Sequence, residues 1–514
     1  MSKTIIIIGA GLAGLSAALQ AAENGCNVKL VSSLPSERAQ SVMAEGGINA
    51  ALNTKDENDS PEEHFTDTIK AACGLADPNA VWGMTQAAPE LVHWLLKLGV
   101  KFNMSGYDDV DLRNFGGQKK KRTAFAQSDT GKQIMTAMID AVRRKEASGM
   151  VERFSHHSFL TLRLCGNICC GCVIRDEYSQ ETVELPGDAV IVATGGMHGL
   201  FGNTTGSLSN TGEVTAELFR LGVPLANGEM IQYHPTTVKC GGKRMLISEA
   251  ARGEGGRLFA MKDGKQWYFM EEKYPELGNL MPRDITAREI WKVSHESEVF
   301  LDMTEISEEI ISNKLSGLAD DCMTYLHKDI RKEPVSVLPG IHYFMGGILV
   351  DEQHRTPIQN LYAAGECCAQ YHGANRLGGN SLLGALYGGC VAAKSACEQA
   401  DVVDLSCATQ IDFPPTSQIS EIKQLNKVMQ ETMGVVRNEN TLLNGIQTVQ
   451  ALTGNLPLLG MAVLKSALAR KESRGAHWRE DYPKSNDDDY LKTTVARFDG
   501  KQIQISFVPV PERR

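Results

Sequence analysis

The stretch His372 to Leu383, HGANRLGGNSLL, gathers a histidine, an arginine, two asparagines, a serine and three glycines into twelve residues. It is too polar and too rich in glycine for a core element, and it lacks the charge of a plain surface loop. Glycines let a backbone come close to a ligand, and the first amides of a helix attract an anion. Ser41 to Leu52 (SVMAEGGINAAL) again sets paired glycines, Gly46 and Gly47, among small residues. Gly9-Ala10-Gly11-Leu12-Ala13-Gly14 is GxGxxG. The chemistry these residues suit is the cradling of a long anionic nucleotide by main-chain groups.

The elements that must position them can be read from the flanking text. Thr4 to Ile8 is an apolar β-branched strand, an Ala- and Leu-rich helix runs to about Asn24, and Asn27 to Val31 is a second strand. GxGxxG therefore joins a strand to a helix, with pyrophosphate placed at the helix N-terminus. The acidic residue usual at the end of the second strand is missing. Ser32 and Ser33 stand there, so ribose recognition falls to hydroxyls. Two more buried strands end in glycine, Ala189 to Gly196 (AVIVATGG) and Leu361 to Gly365 (LYAAG). Three such strand ends predict a two-dinucleotide-fold flavoprotein rather than a simple NAD domain, with FAD as the ligand. A small-residue helix is expected over Leu382 to Ala393.

Further helices are predicted from Pro61, over Ala80 to Leu98, Gly131 to Lys145, Ile419 to Met433 and Thr441 to Leu452. A β-meander is expected over 151–192, and a charged, loop-rich tail ends in a short strand, Gln502 to Val508. From Glu229 the strand–glycine pattern gives way to short polar motifs and acidic helices, and it resumes at Gly346. We read the chain as 1–228 and 345–396 forming one nucleotide-binding unit, 229–344 inserted into it, and 397–514 following.

The length of 514 residues exceeds one core. A formal net charge of −10 argues against nucleic acid as a partner, though not against an anionic substrate at a local arginine cluster. The apolar run Ile5 to Ala22 is broken by Gly9, Gly11 and Gly14, and it reads as the nucleotide turn rather than a signal peptide. Thirteen cysteines show no paired metal-site spacing, so no metal centre is expected and reduced cytosolic thiols are.

In this order the motifs resemble the flavoprotein subunits of succinate dehydrogenase and fumarate reductase, with L-aspartate oxidase as the nearest relative. The resemblance runs from GAGLAG through HGANRLGGNSLL to SRGAHWRED (Ser473 to Asp481) and LKTT (Leu491 to Thr494). It implies an α/β fold: a Rossmann-like two-dinucleotide FAD-binding domain, an inserted α+β capping domain and a C-terminal helical domain. It also implies interconversion of succinate and fumarate by hydride transfer at flavin N5. A dicarboxylate dianion asks for arginine forks and imidazoles. The resemblance places His234 (QYHPT), His342 (GIHYFMGG) and Arg376 on the substrate carboxylates, with Ser248 (LISEAARGEGG) where many members have threonine. Arg283 (MPRDITAR) matches the proton donor and acceptor, and Glu249 and Arg252 match the relay behind it. For the flavin it implicates Gly9, Ala10, Gly11, Gly14, Ser32, Ser41, Gly46, Gly47, Ala193, Thr194, Gly195, Glu213, Glu366, Arg376, Ser381 and Leu382. Glu213 stands where aspartate is usual.

Two positions depart from or divide the family. Gln40 occupies the place of the histidine that bonds covalently to the flavin in respiratory members, so non-covalent FAD is expected, and with it a bias toward fumarate reduction. Gln40 also fits an aspartate oxidase, but Phe115 (RNFGG) stands where aspartate oxidases carry a glutamate suited to a substrate ammonium. A flavin subunit kept for assembly or electron relay is a third reading, and the intact set His234, Glu249, Arg283, His342 and Arg376 weighs against it. The family further implies an iron–sulfur subunit, a membrane anchor subunit and a place on the inner face of the cell membrane.

Overall fold

The four isoleucines Ile5 to Ile8 are nearly shut off from solvent, each at 3% exposure or less. Side chains on a strand alternate between faces, and here each face is covered by a different layer. Ile5 and Ile7 pack with the helices Leu12–Glu23 and Asn380–Gln399, whereas Ile6 and Ile8 pack with Leu162, Cys169 and Cys172 of a three-stranded sheet. A continuous apolar run is the mark of a parallel strand buried on both sides. The computed structural model describes residues 2–106, 109–400, 411, 413 and 418–514.

The parallel sheet has the order Leu361–Ala363, Ala189–Val192, Thr4–Ile8, Asn27–Ser32, Val151–Ser155. All three strands expected to end in glycine lie side by side at its centre and edge, so their C-terminal turns open on one rim. The small residues of the two helices let them approach closely: a Cβ on Gly389 would sit 2.1 Å from Ser16 Oγ. The expected meander over 151–192 is only partly so. Its inner strands His157–Cys165, Ile168–Asp176 and Thr182–Pro186 pair antiparallel, while Val151–Ser155 and Ala189–Val192 belong to the parallel sheet. The glycines after Ala189–Val192 already set that strand apart, but nothing local sets Val151–Ser155 apart from the meander that follows it.

Between Glu229 and Phe344 the chain builds an α+β unit. Ile231–Cys240 pairs with Lys243–Leu246 and Leu338–Phe344, and a four-stranded sheet lies beyond. The short helix Glu249–Gly253 and the helix Arg283–Val293 complete the side facing the parallel sheet's rim.

Among the described residues the C-terminal part holds three long helices, Ile419–Thr432, Glu439–Val449 and Asn455–Ala469, the last of which the sequence reading missed, and a single turn at Asp487–Tyr490. The start of this domain, drawn at 397, falls in the last turn of the helix Asn380–Gln399, and most of the segment from 401 to 417 lies outside the described residues. The tail is more ordered than expected. Lys492–Phe498 forms a hairpin with Ile503–Pro509 and pairs with Leu225–Ala226 of the first unit. Beneath it, the buried Arg470 donates to Glu229 Oε1 at 2.7 Å and to Thr494 Oγ1 at 2.7 Å. Eleven described cysteines carry free thiols. Among the described residues no helix is long and apolar enough to cross a membrane.

Candidate active site

A cavity of about 540 Å³ runs from the rim of the parallel sheet to the inner face of the inserted unit. Its nucleotide end is built from glycines that tolerate no side chain. A Cβ on Gly9 would lie 2.3 Å from Ala193 O, and one on Gly47, at φ +139°, would lie 2.5 Å from Ala124 O. Gly9, Ala10, Gly11, Ser32, Ser41, Gly46, Gly47, Ala193, Thr194, Gly195, Glu213, Glu366, Arg376, Ser381 and Leu382 all line the cavity, as does Gln40. Gly14 does not. It faces the turn, where a Cβ would fall 1.9 Å from Gly9 O, so its part is to keep helix and strand together.

The polar groups fit FAD. The helix Leu12–Glu23 starts at Gly11 with no acidic residue in its first turn, and the Leu12 amide donates to Ser41 Oγ at 3.2 Å. The helix Asn380–Gln399 opens on Gly379 with no side-chain cap. Two helix N-termini thus meet the cavity, each favouring negative charge. The buried Ser32 Oγ has no protein partner, as a hydroxyl reserved for a ribose should be. Glu366 accepts from the Phe344 amide at 3.0 Å, and burial raises its carboxyl to about 7.

The other end carries the charges. Arg283, the first residue of its helix, donates from Nε and Nη2 to Glu249 Oε2 at 2.9 and 2.6 Å. Arg252 donates to Glu249 Oε1 at 3.1 Å and to the Asn279 carbonyl at 2.6 Å. Burial alone would raise the Glu249 carboxyl, but Arg283 and Arg252 outweigh it and hold the group below its ordinary value. Arg283 therefore pairs with Glu249, not with its neighbour Asp284. Arg252 lies behind this pair, whereas Arg283, Glu249, Ser248, His234, His342, Phe115 and Arg376 line the cavity. Ser248 caps the short helix by accepting from the Ala250 amide at 3.4 Å, which leaves its own hydrogen for a ligand oxygen.

Arg376 is buried, stacks 4.4 Å over the Tyr343 ring, and has an unpartnered Nε. Burial and the charge of Arg283 lower its pKa to about 9, so it stays a cation at neutral pH. The His234 and His342 rings lie 5.1 Å apart, and burial followed by the charge of Arg283 keeps both neutral. Phe115 wedges against the glycine turns: a Cβ on Gly46 would lie 2.8 Å from its ring, and one on Gly378 2.9 Å. His372 is turned away, its Nε2 3.2 Å from the Tyr343 hydroxyl, and it supports Tyr343 rather than the cavity.

Three residues escaped the sequence reading. Gln232 accepts from Arg283 Nη1 at 3.0 Å and donates to Asn375 Oδ1 at 2.9 Å and to the Arg376 carbonyl at 2.8 Å, so it couples the two site arginines. It lies two residues before His234 on one strand, a spacing that could have flagged it. Tyr343 had its neighbour His342 as a signal. Thr205, whose Oγ1 is 2.8 Å from His342 Nδ1, had none.

Comparison with known proteins agrees with this geometry. The model of an FAD binding domain matches residues 4–382, and that of the fumarate reductase flavoprotein C-terminal region matches 452–513. The succinate dehydrogenase flavoprotein subunit of Bacillus subtilis (strain 168) is 38% identical, with 100% of this chain and 98% of the relative covered. The chain belongs to the succinate dehydrogenase and fumarate reductase flavoprotein family. An L-aspartate oxidase of Pyrococcus furiosus in the same group is 32% identical, over 94% of this chain and 97% of its own. A solved E. coli quinol fumarate reductase chain superposes with a TM-score of 0.90 at 27% identity, covering 99% of this chain and 97% of that one. As a family member the protein is an FAD-dependent oxidoreductase acting on CH–CH bonds, built on the family's FAD-binding and C-terminal domains.

Proposed function

We propose that this chain is the catalytic flavoprotein subunit of an enzyme that interconverts fumarate and succinate. The observation that carries the reading is the Arg283–Glu249–Arg252 chain ending at the cavity wall beside Arg376. Arg283, Arg252 and Arg376 set against Glu249 leave two positive charges among these four groups, with both imidazoles neutral. A C4 dicarboxylate dianion brings the matching charge. Arg376 holds one carboxylate in a fork, and Ser248, His234 and His342 surround the other.

Bound FAD supplies the hydride to one alkene carbon in the reductive direction. Arg283 gives the proton to the other carbon, and the relay through Glu249 and Arg252 returns it. An arginine is a weak acid at its ordinary pKa, so the transfer must be concerted with charge developing on the substrate. The inserted unit, residues 229–344, carries Arg283 and closes over the flavin to exclude water, while 1–228 with 345–396 bind the flavin and 397–514 brace them.

Gln40 lines the cavity where a linking histidine would stand, and an amide cannot form that bond. We therefore assign non-covalent FAD and a preference for fumarate reduction. The buried apolar Phe115 offers no acceptor to a substrate ammonium, which disfavours aspartate oxidation. Among the described residues no cluster of side chains could hold a metal ion. The relatives are named as flavoprotein subunits, and on that ground we assign the supply of electrons to a separate iron–sulfur subunit, with peripheral attachment to the cytoplasmic membrane face through an anchor subunit.

The test is anaerobic turnover of fumarate and related acids with reduced viologen, and of succinate with an artificial acceptor. Fumarate should be reduced, and Arg283→Ala should abolish turnover while FAD stays bound. Near-normal turnover by Arg283→Ala, or peroxide formed from aspartate by the wild type, would refute the assignment.

A further inference from the structure

We infer that Thr205 is a positioning residue that holds His342 with its hydrogen on Nε2, ready to donate to a substrate carboxylate. The inference rests on the fumarate and succinate reading of the same site. His342 stands on the strand Leu338–Phe344 at the cavity wall. Its Nδ1 is 2.8 Å from Thr205 Oγ1. Thr205 comes from a loop of the flavin-binding part, so this bond ties the substrate histidine to the frame that holds the flavin.

The direction of the bond is read from the lengths of the contacts. The Thr205 hydroxyl has one to give, and two acceptors are in reach: His342 Nδ1 at 2.8 Å and the Ile341 carbonyl at 3.3 Å. That carbonyl already accepts from the amide of Thr205 itself at 3.0 Å. A carbonyl can accept two bonds, so the hydroxyl could donate to it and accept from an Nδ1 hydrogen instead; the contact to Nδ1 is the shorter by half an ångström, and we give it the hydroxyl's hydrogen. A neutral imidazole that accepts at Nδ1 carries its hydrogen on Nε2. Burial, with Arg283 and Arg376 near, keeps this ring neutral. The opposite tautomer would turn a lone pair toward a carboxylate oxygen.

His234 is held differently. Its Nδ1 lies 3.1 Å from the Thr236 carbonyl, 3.3 Å from the Thr236 amide and 3.4 Å from the Thr236 hydroxyl, whose shorter contact is to the Ile247 carbonyl at 2.8 Å. Its contacts at Nδ1 come from its own strand, whereas His342 takes its contact from a loop of the flavin-binding part.

Thr205→Val removes the hydroxyl at nearly constant shape, and Thr205→Ser keeps it. Both holoenzymes are compared with wild type in fumarate reduction by reduced viologen and in ¹⁵N NMR of histidine-labelled protein, with the His342 signal assigned by its loss in His342→Asn. Thr205→Val should raise the KM for fumarate roughly tenfold, or about 1.4 kcal/mol. It should change kcat by less than about threefold and leave bound FAD and Tm unchanged, because the lost interaction is one of binding. Thr205→Ser should restore KM. In the spectra, His342 should be protonated at Nε2 alone in wild type and Thr205→Ser, and lose that preference in Thr205→Val. A wild type that fails to reduce fumarate defeats the functional reading, and the spectra then decide the tautomer. Unchanged KM and tautomer in Thr205→Val, or Thr205→Ser as impaired as Thr205→Val, would overturn the inference.

Discussion

Glu249→Gln is the sharpest test of the proton path, because it changes charge and almost nothing else. The Glu249 carboxylate is 2% exposed and accepts three hydrogen bonds, two from Arg283 and one from Arg252. A glutamine keeps one acceptor oxygen and turns an NH₂ group toward one of the arginines. Removing one partner of a buried ion pair costs about 3–5 kcal/mol. The retained shape and single acceptor put this change at the low end, at roughly 3 kcal/mol of stability. The loss to catalysis is of another kind. Positioned proton transfer contributes about 10²–10⁴ in rate, so kcat for fumarate should fall by that factor while KM moves little, since Arg376 and the histidines still hold the carboxylates. The pH dependence provides an internal control. Glu249 is held below its ordinary value of 4.5, so its stabilising effect is complete above that pH and lost as pH falls through the lower folded value. The stability gap between wild type and variant should therefore be flat from neutral to alkaline pH and narrow in acid. Steady-state kinetics with reduced viologen, flavin content and urea unfolding measure all three. A kcat within threefold of wild type, with FAD fully bound, would remove Glu249 from the proton path.

Two further outcomes follow. Burial, reinforced by Asp321 and Asp129, raises the Glu45 carboxyl to about 8 from 4.5, so the folded protein keeps a proton that the unfolded chain releases; stability should fall as pH rises through that window, by up to roughly 1.4 kcal/mol per unit, and urea unfolding of Glu45→Gln should show the slope gone. Acid-denatured holoprotein should release all of its flavin because Gln40 cannot bond to it, and fluorescence retained on the precipitated polypeptide would sink that claim.

Much of the flavin-binding frame was legible because its physics is local. Gly9, Gly11 and the AVIVATGG strand announce a strand that must end in an open turn, and the structure sets all three such strands in one sheet. The helices from Pro61 and over Ala80 to Leu98 were legible for the same reason: the structure has them at Pro61–Ala71, with Ser60 capping, and at Pro78–Leu98. What failed was partnership. The strand at 151–155 looks like the meander that follows it, and only long-range pairing sends it to the parallel sheet. The LKTT segment reads as tail, yet Val495 and Ala496 are buried against Leu225 and Ala226.

The same division runs through the site. Arg376 could be picked out by type within its glycine-rich stretch, whereas Arg283 and Glu249 were reached only through the family resemblance. Gln232 and Thr205 act by what they hold, and such a role is invisible until the fold brings the other side chain near. The Arg376 loop shows how far this reaches. Ala374 donates to the Ala72 carbonyl at 3.0 Å and accepts from the Ala476 amide at 2.9 Å. On Gly475, at φ +53°, a Cβ would lie 2.6 Å from Ala374 O, so the SRGAH turn sits flush against the loop. The aim of Arg376 is therefore set from both sides, by a helix end some three hundred residues earlier and a turn about one hundred later. The C-terminal motif belongs to the site without touching the cavity: it fixes the backbone from which the substrate arginine extends.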